Sequence, residues 1–277
     1  MTLLASPRFR PERLADVEDR LETVTGVREA VAAKPEVIFH MASTSFNPPG
    51  TPFSGHFRVI VAQTADLLDA FSGSGARFIY TGSGAEYGAG TALEESSALA
   101  PATALGGCKA AASTLVQTLG RLGQISTVVL RLFTPFGPWE PAHRLIPSIV
   151  RSAQRGERVQ LSSGDSERDF CFAPDVIDAM LRAVTAPLPA GSAINICSGT
   201  AIRVRDMASL TLAALGYPVE IRERPGTARA DEIVRMSGSN RTAAELLGWK
   251  PSTPIVEGIE RTVSWFQQNP QWLRIVN

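Results

Sequence analysis

The segment FIYTGSGAEYG, from Phe78 to Gly88, places a threonine, a serine and a tyrosine directly after a short apolar run. A serine hydroxyl can stabilise charge that develops on a substrate oxygen. The flanking Gly82 and Gly84 also permit a phosphate-binding loop, but no phosphate-cradling helix follows within the needed distance. We therefore expect a tight turn in which the glycines adopt positive φ angles, and such a turn does not exclude catalysis.

The composition favours a soluble protein that acts on a small molecule. Lysine plus arginine equals aspartate plus glutamate at 27 each, so no net charge attracts nucleic acid or an anionic membrane. Cys108, Cys171 and Cys197 have no CxxC spacing and no companion histidine cluster, which argues against a metal site and disulfides and favours a reducing compartment. The sequence has no apolar run long enough to span a membrane and no export signal, so we expect a cytoplasmic protein.

The elements that must position these side chains alternate along the first two thirds of the chain. Short β-rich runs between longer amphipathic stretches are typical of βαβ units around a parallel sheet. With 277 residues, the chain has room for one large α/β core and a smaller attached lobe. Strands are predicted at Val37 to His40, Arg77 to Thr81 and Ser126 to Phe133, and helices at Val61 to Phe71 and Pro101 to Gly123.

A loop-rich second lobe is predicted beyond Phe133, where prolines accumulate and the strand–helix alternation loosens. Substrate specificity usually depends on such loops. Helices are predicted at Val204 to Leu215, at Thr242 to Leu247, where Gly248 is a plausible stop, and after Gly258.

Four segments, in order and at plausible spacing, resemble the NAD(P)-dependent epimerase/dehydratase family, or extended short-chain dehydrogenases. The first three are PEVIFHMAS at 35–43, FIYTGSGAEYG at 78–88 and PATALGGCKAAAS at 101–113. The fourth consists of three pieces, RLFTPFGP at 131–138, HRLIPSIV at 143–150 and RDFCFAPDV at 168–176. Two shorter segments, RPG at 224–226 and LGWKP at 247–251, complete the resemblance. The resemblance implies an α/β fold, with a Rossmann-like doubly wound parallel sheet and a smaller C-terminal α/β substrate lobe. It implies a dinucleotide-binding domain at 1–134 and mainly a substrate-binding lobe at 135–277, with segments at about 170–198 completing the core.

The resemblance also implies roles for individual residues. Ser83 matches the hydroxyl that bonds the substrate oxygen during hydride transfer, and Lys109 matches the lysine that holds the nicotinamide ribose of NAD or NADP. Arg168 matches an arginine that pairs with a substrate diphosphate, and an arginine bonding backbone carbonyls is the alternative. A packing role is the alternative for His40, and Asp175 is expected to be a structural helix N-cap. The implied cofactor-binding residues are His40, Ala42, Thr81, Lys109, Phe133, Arg8 and Arg10, and the implied substrate-binding residues are Arg168, Ser83 and His143.

The sequence also departs from the family. Leu105 stands where the family has the tyrosine of its tyrosine-x-x-x-lysine pair, and leucine cannot act as a general acid or base. The opening strand, glycine-rich turn and helix that hold the pyrophosphate are not found, because Thr2 to Ala5 resemble the second strand of the family. Val27 replaces a common acidic residue near the adenine, and Ile60 replaces an asparagine that supports the active site.

Three explanations for the missing glycine-rich turn stay open. The recorded start lies downstream of the true one, or the protein binds a nucleotide weakly or differently through Arg8 or Arg10, or it no longer binds a dinucleotide. Losing the oriented amides of the turn removes several charge-assisted hydrogen bonds at once, so affinity should suffer severely.

Two functions are consistent with these residues. The first is an NAD(P)-dependent oxidoreductase or epimerase acting on a carbonyl or hydroxyl of a nucleotide-activated sugar, or of a secondary metabolite such as a polyketide, as a ketoreductase does. Its proton must come from Tyr87, which also matches a usually structural tyrosine, from a water ordered by Lys109, or from an acidic substrate hydroxyl. The second is a catalytically inactive binding or assembly module that dimerises through the helices around Leu67 and Leu115. We expect a homodimer.

Overall fold

The computed structural model describes residues 2–4, 19–44, 52–223 and 233–274. Its strands are β1 (Thr2–Leu4), β2 (Glu22–Val24), β3 (Val37–His40), β4 (Arg77–Ser83), β5 (Gly90–Leu93), β6 (Ser126–Leu132), β7 (Thr134–Phe136), β8 (Val159–Leu161), β9 (Glu167–Phe172), β10 (Ser192–Ile196), β11 (Ala201–Arg203), β12 (Ile221–Glu223) and β13 (Arg235–Gly238). Its α-helices are α1 (Val27–Ala32), α2 (Phe53–His56), α3 (Gln63–Phe71), α4 (Ala104–Arg121), α5 (Leu145–Gln154), α6 (Ala173–Thr185), α7 (Val204–Leu215), α8 (Arg241–Leu247) and α9 (Ile255–Gln268). A π-helical stretch, Phe57–Ala62, joins α2 to α3, and 3₁₀ turns lie at Gly84–Glu86 and Pro270–Leu273.

A four-stranded parallel sheet, in the order β10-β6-β4-β3, positions the candidate residues. Strand β4 pairs with β6 along its whole length, from Arg77 opposite Ser126 to Ser83 opposite Leu132. The three predicted strands are confirmed, and β4 extends two residues beyond its predicted end. Strands β1 and β2 form a separate two-stranded parallel sheet.

Alternate residues of β4 enter two different cores. Phe78 and Tyr80 pack in one apolar cluster with α3 and α4, whereas Ile79 packs in another with α6 and α8. Strands covered by helices on both faces are continuously apolar, which explains the short apolar runs of the sequence. The predicted doubly wound α/β fold is therefore confirmed.

A second sheet has the order β11-β9-β13-β5, with β7 also on β9, and all of its strands except β5 lie beyond Phe133. Helices α5, α7 and α9 pack together in a core that includes Phe136 and Phe266. The chain returns to the central sheet through α6 and β10. The division into domains at 1–134 and 135–277 stays a prediction. In the described part of the chain, no helix has both the length and the apolar character that crossing a membrane requires.

The predicted helices are present, with small shifts at their ends. Helix α4 begins at Ala104, where the Thr103 hydroxyl accepts a hydrogen bond from the amide of Gly106 as a capping residue does. Helix α7 has the predicted bounds. Helix α8 ends at Gly248, whose φ of 59° is the left-handed conformation expected of a glycine stop.

The predicted N-cap at Asp175 is wrong. Helix α6 begins at Ala173 and its N-cap is Phe172, so Asp175 lies in the first turn. The buried Asp175 carboxylate accepts hydrogen bonds from the Ser252 hydroxyl and from the amide and hydroxyl of Thr253. It is structural, as expected, but it connects α6 to the segment before α9.

The prediction of positive φ angles in the Gly82-Ser83-Gly84 turn is also wrong, because neither glycine has one. Each glycine is instead needed for a close approach. A Cβ on Gly82 would lie 2.5 Å from Oε1 of Glu86, and a Cβ on Gly84 would lie 3.0 Å from the ring of Phe133. The turn is therefore packed tightly against its surroundings.

Candidate active site

Ser83 is the last residue of β4 and is half-buried at the carboxyl end of the sheet. Its hydroxyl oxygen accepts a hydrogen bond from the amide of Ala85, at 3.1 Å, and so caps the short 3₁₀ turn. Its own amide donates to Oε1 of Glu86, at 2.8 Å. The side chain is therefore held at a strand end, the usual place for a ligand crevice in a parallel α/β sheet.

Helix α4 carries Lys109 to the same strand end. The Lys109 ammonium donates to the carbonyl oxygen of Thr81, at 2.7 Å, and only 5% of the residue is exposed. Burial lowers the pKa of Lys109 to about 8, against the opposing effect of the negative charge of Glu86. A Cβ on Gly106 would lie 2.5 Å from the carbonyl oxygen of Ala85, so the first turn of α4 touches the turn that follows Ser83.

The position of the missing tyrosine is apolar. Leu105 lies one turn before Lys109, is half-buried, and packs against the cluster between α3, α4 and the sheet. Ile60 is completely buried in the same cluster. Neither side chain can carry a proton, so this side of the site offers packing and no acid.

His40 and Thr81 are bonded within the protein. The Nε2 atom of His40 lies 2.9 Å from the hydroxyl oxygen of Thr64, whose own proton is donated to the carbonyl of Ile60. Nε2 is therefore the donor in this pair, and His40 is neutral, because burial and the nearby Lys109 charge lower its pKa to about 4. The Thr81 hydroxyl donates to the carbonyl of His40, at 3.3 Å. These bonds fit the packing alternative for His40.

The hydroxyl of Tyr87 is fully engaged in a buried network. Tyr87 is 2% exposed; its hydroxyl donates to Oδ1 of Asn195, at 2.9 Å, and accepts from Nη1 of Arg131, at 2.6 Å. Burial raises the pKa of Tyr87 above its ordinary value. The geometry fits the structural role of this tyrosine.

The sequence reasoning missed two members of this network, Glu86 and Arg131. The two side chains form an ion pair, with Nε of Arg131 2.9 Å from Oε2 of Glu86, and both are almost completely buried. A signal was present in the sequence: each is a lone charged residue, Glu86 between small residues of the turn and Arg131 within the apolar strand STVVLRL. Buried charges in such places are usually paired.

Two of the predicted substrate-binding residues, Arg168 and His143, lie beyond residue 134, away from Ser83 in the sequence. Arg168 is half-buried on β9, and its Nη1 donates to the carbonyl of Glu167, at 2.9 Å, as the alternative interpretation expected. The neighbouring Asp169 is fully buried and accepts hydrogen bonds from the amides of Ser198, Gly199 and Gly238 and from the Ser198 hydroxyl. His143 is exposed in the segment that precedes α5.

Of the remaining predicted cofactor-binding residues, the structure describes Ala42 and Phe133 but not Arg8 and Arg10. Ala42 is exposed just after β3, and Phe133 is buried against Tyr87, with ring centroids 6.3 Å apart. Arg8, Arg10 and the RPG segment at 224–226 lie outside the described residues. All three cysteines are buried free thiols. Within the described ranges, no three histidine, cysteine or acidic side chains come together as metal ligands would.

This chain is similar to several known proteins. The profile of the NAD dependent epimerase/dehydratase family matches residues 8–197. A UDP-glucose 4-epimerase from Mycolicibacterium smegmatis is 29% identical over 249 residues, which cover 86% of this chain and 78% of that protein. A dTDP-6-deoxy-L-talose 4-dehydrogenase (NAD(P)(+)) from Kitasatospora kifunensis is 32% identical over 217 residues, covering 73% and 67% of the two chains. The solved structure of MoeE5 in complex with UDP-glucose and NAD superposes with a TM-score of 0.83 at 25% identity, covering 90% of this chain and 87% of that one.

Proposed function

The chain belongs to the NAD dependent epimerase/dehydratase family, and we propose that it is an NAD(P)-dependent enzyme that epimerises, dehydrates or reduces a nucleotide-activated sugar. The relatives named above act on UDP- or dTDP-linked sugars. The reacting group is a carbonyl or hydroxyl of the sugar. A polyketide-type secondary metabolite is the other substrate class that would tolerate Leu105, because an acidic phenol brings its own proton.

One observation supports this proposal: Lys109 forms a hydrogen bond with β4 close to its carboxyl end, where Ser83 lies. Lys109 reaches the carbonyl of Thr81, two residues before Ser83 in the same strand. In parallel α/β sheets the ligand crevice lies just beyond these strand ends. A hydroxyl donor and an ammonium are therefore both available to a ligand bound there.

The residues present fit a dinucleotide. An ammonium has three N–H donors, and among the described residues the carbonyl of Thr81 is the hydrogen-bond acceptor found for Lys109. Two donors thus remain, one for a hydroxyl of a ribose and one for a water. Met41 and Ala42, just after β3, are exposed. We assign Lys109, Thr81, Ala42 and Phe133 to the cofactor side of the site.

When bound, the nicotinamide supplies or accepts the hydride. The Ser83 hydroxyl donates to the substrate oxygen and stabilises the charge that develops on it. Lys109, with a pKa near 8, orders a water that carries the proton which tyrosine carries elsewhere in the family. We set Tyr87 aside as the acid, since both hydrogen bonds of its hydroxyl are already made.

We assign the substrate diphosphate to Arg168. A planar guanidinium suits bidentate contact with phosphate oxygens, and Arg168 is half-buried on β9. His143, exposed before α5, is the second candidate on the substrate side. Arg168→Met should raise KM for a nucleotide sugar more than it lowers kcat.

Ligand-induced stabilisation tests the proposal directly. Binding of NADH or NADPH, at about 100 times its dissociation constant, should stabilise the chain by about 2.7 kcal/mol. Turnover should then be sought by chromatography of UDP- and dTDP-hexoses incubated with NAD or NADP. If neither nucleotide changes the unfolding midpoint, the proposal fails for this chain.

Leu105 favours one alternative, an inactive family member that serves as a binding or assembly module. The exchange Leu105→Tyr separates the two functions, because it restores a phenol one helical turn before Lys109. A gain in turnover would show an intact site that lacks only its strongest acid. Nucleotide binding without turnover in both forms would favour the module.

A further inference from the structure

The carboxylate of Glu86 is completely buried, and both of its oxygens are occupied. Oε1 accepts hydrogen bonds from the amide of Ser83, at 2.8 Å, and from the hydroxyl of Ser113, at 2.7 Å. Oε2 accepts from Nε of Arg131, at 2.9 Å. The three donors belong to the end of β4, to α4 and to β6, so one side chain connects these three elements.

The network continues from Arg131 to the far edge of the sheet. Nη1 of Arg131 donates to the hydroxyl of Tyr87, which donates to Asn195 on β10. The side-chain amide of Asn195 in turn donates to the carbonyl of Leu93, at 2.9 Å. The guanidinium of Arg131 also stacks over the ring of Tyr87, 4.8 Å from its centroid. Each hydrogen-bonding group named in this network thus has a partner within the protein.

Global stability alone does not explain such an arrangement. Taking both charges of an ion pair out of water costs about as much as their attraction returns, and apolar replacements are often neutral or stabilising. Burial raises the pKa of Glu86, and the hydrogen bonds from Arg131, Ser113 and the Ser83 amide act in the opposite direction. What these hydrogen bonds do specifically is to fix the orientation of the Ser83 backbone.

The space around Gly82, in strand β4, also indicates that the Glu86 carboxylate fixes the Ser83 backbone. The carboxylate of Glu86 folds back over this residue, where a Cβ would lie 2.5 Å from Oε1 and 3.1 Å from the hydroxyl of Ser113. A larger residue at 82 would push the carboxylate off the Ser83 amide. The sequence therefore pairs a glycine at 82 with an acid at 86.

We propose that Glu86 is a positioning residue, which fixes the Ser83 hydroxyl at the end of β4 and places a negative charge beside Lys109. This inference rests on the proposed function of Ser83 and Lys109. The titratable groups around Lys109 are His40 on β3, Tyr80 on β4, whose ring centroid is 4.9 Å from the ammonium, and Glu86 itself. Glu86 is the anionic group among them, because its carboxylate accepts three hydrogen bonds and pairs with the guanidinium of Arg131. His40 is neutral, and burial raises the pKa of Tyr80.

The exchange Glu86→Gln tests this role, because it keeps the shape of the side chain and removes its charge. We expect kcat to fall roughly 10–100-fold with a small change in KM, since a small displacement of a positioning contact costs about this much. The pKa of Lys109 should fall, which moves the alkaline limb of the pH profile to lower pH. Lysine-selective ¹³C NMR measures this pKa without turnover, because the chain has three lysines.

Asp175→Asn is the matched control, since it neutralises another buried carboxylate that accepts three hydrogen bonds. It should lower the unfolding midpoint and leave both the Lys109 signal and the pH profile in place. If Glu86→Gln does not fold, Glu86→Leu combined with Arg131→Met removes both charges together. This double variant should still have a lower kcat than the wild type, and its Ser83 amide should show faster hydrogen–deuterium exchange.

The outcomes separate the two proposals. A wild-type chain without nucleotide binding or turnover contradicts the proposed function. An unchanged Lys109 pKa in Glu86→Gln, or undiminished kcat with an unchanged pH profile, contradicts the positioning role. A lower Lys109 pKa in both Glu86→Gln and Asp175→Asn would mean a general loosening and would also overturn it.

Discussion

Lys109 is the single residue whose charge state should be visible in binding. Its pKa is lowered to about 8 by burial, so the ammonium form dominates below that pH and is lost as the pH rises through it. On the proposed role of the ammonium as a donor to the nucleotide, the dissociation constant for NADH or NADPH should increase above about pH 8. Fluorescence titrations of each nucleotide between about pH 6.5 and 9.5 measure this.

Substitution separates the lysine from other titrating groups. Lys109→Met should weaken binding roughly 10–150-fold at pH 7, as expected for losing a charged hydrogen-bond donor, and should flatten the pH dependence. Lys250→Met removes an exposed lysine and should change neither. A pH dependence that persists in Lys109→Met would assign it to a different group.

The sequence allowed prediction of some residues of the site and not others, for a physical reason. Ser83 and Lys109 belong to local motifs, so their place at a strand end and on a helix face follows from nearby residues. Glu86 is different, because an acid in a glycine-rich turn normally faces solvent. Its burial depends on Arg131, which is 45 positions away in sequence and adjacent only after β4 pairs with β6.

Helix α4 depends on Gly106 for its approach to the sheet. A Cβ there would lie 2.5 Å from the carbonyl oxygen of Ala85, which is backbone and cannot move aside cheaply. We therefore expect Gly106→Ala to shift the start of α4 away from the Ser83 turn and to reduce kcat, despite the better helix propensity of alanine. Thermal unfolding together with steady-state kinetics measures both effects.

Gly107, the next residue of the same helix, provides the control, because a Cβ there would meet nothing within 4 Å. Gly107→Ala should stabilise α4 by roughly 0.5–1 kcal/mol and keep its activity. If Gly106→Ala and Gly107→Ala had the same unfolding midpoint and the same kcat, the close contact at Gly106 would not affect activity.

The elements themselves were predicted well where the hydrophobic pattern is local. Strands β3, β4 and β6 are short apolar runs between helical patterns, and their bounds agree to within two residues. The N-cap of α6 was misplaced because Asp175 has a capping residue type but bonds to Ser252 and Thr253, more than 70 positions away. The pairing of β13 with β5 joins residues more than 140 positions apart, and no local pattern encodes it.

The homodimer that we expect from the sequence stays a prediction, and its interface must lie on the exposed surface of the molecule. Leu67 cannot contribute as proposed, because it is buried in the core of its own chain, and Leu115 is half-buried against the same core. The exposed apolar side chains nearby are Phe53 and Phe57, which lie one turn apart with ring centroids 6.3 Å apart. Light scattering should give twice the chain mass, and Phe53→Asp with Phe57→Asp should halve it if this face is the interface.

The stability of the whole molecule should depend on pH through Glu140, in the segment between β7 and α5. Its side chain is 9% exposed, Arg144 lies 3.5 Å from Oε1, and no donor from the described residues reaches Oε2. Burial raises its pKa from 4.5 to about 7. The folded state therefore favours the protonated acid, so this contribution to stability is complete below pH 4.5 and is lost as the pH rises through about 7.

Glu140→Gln should consequently be more stable than the wild type at pH 8.5, by on the order of 2–3 kcal/mol, and nearly equal to it at pH 4.5. Urea unfolding at both pH values measures the difference, and comparing the two proteins cancels the other titrating groups. Glu257→Gln, which neutralises an exposed partner of Arg261, should show no such dependence. A difference between Glu140→Gln and the wild type that does not change with pH would mean that the carboxylate is hydrated in solution and that its pKa is not raised.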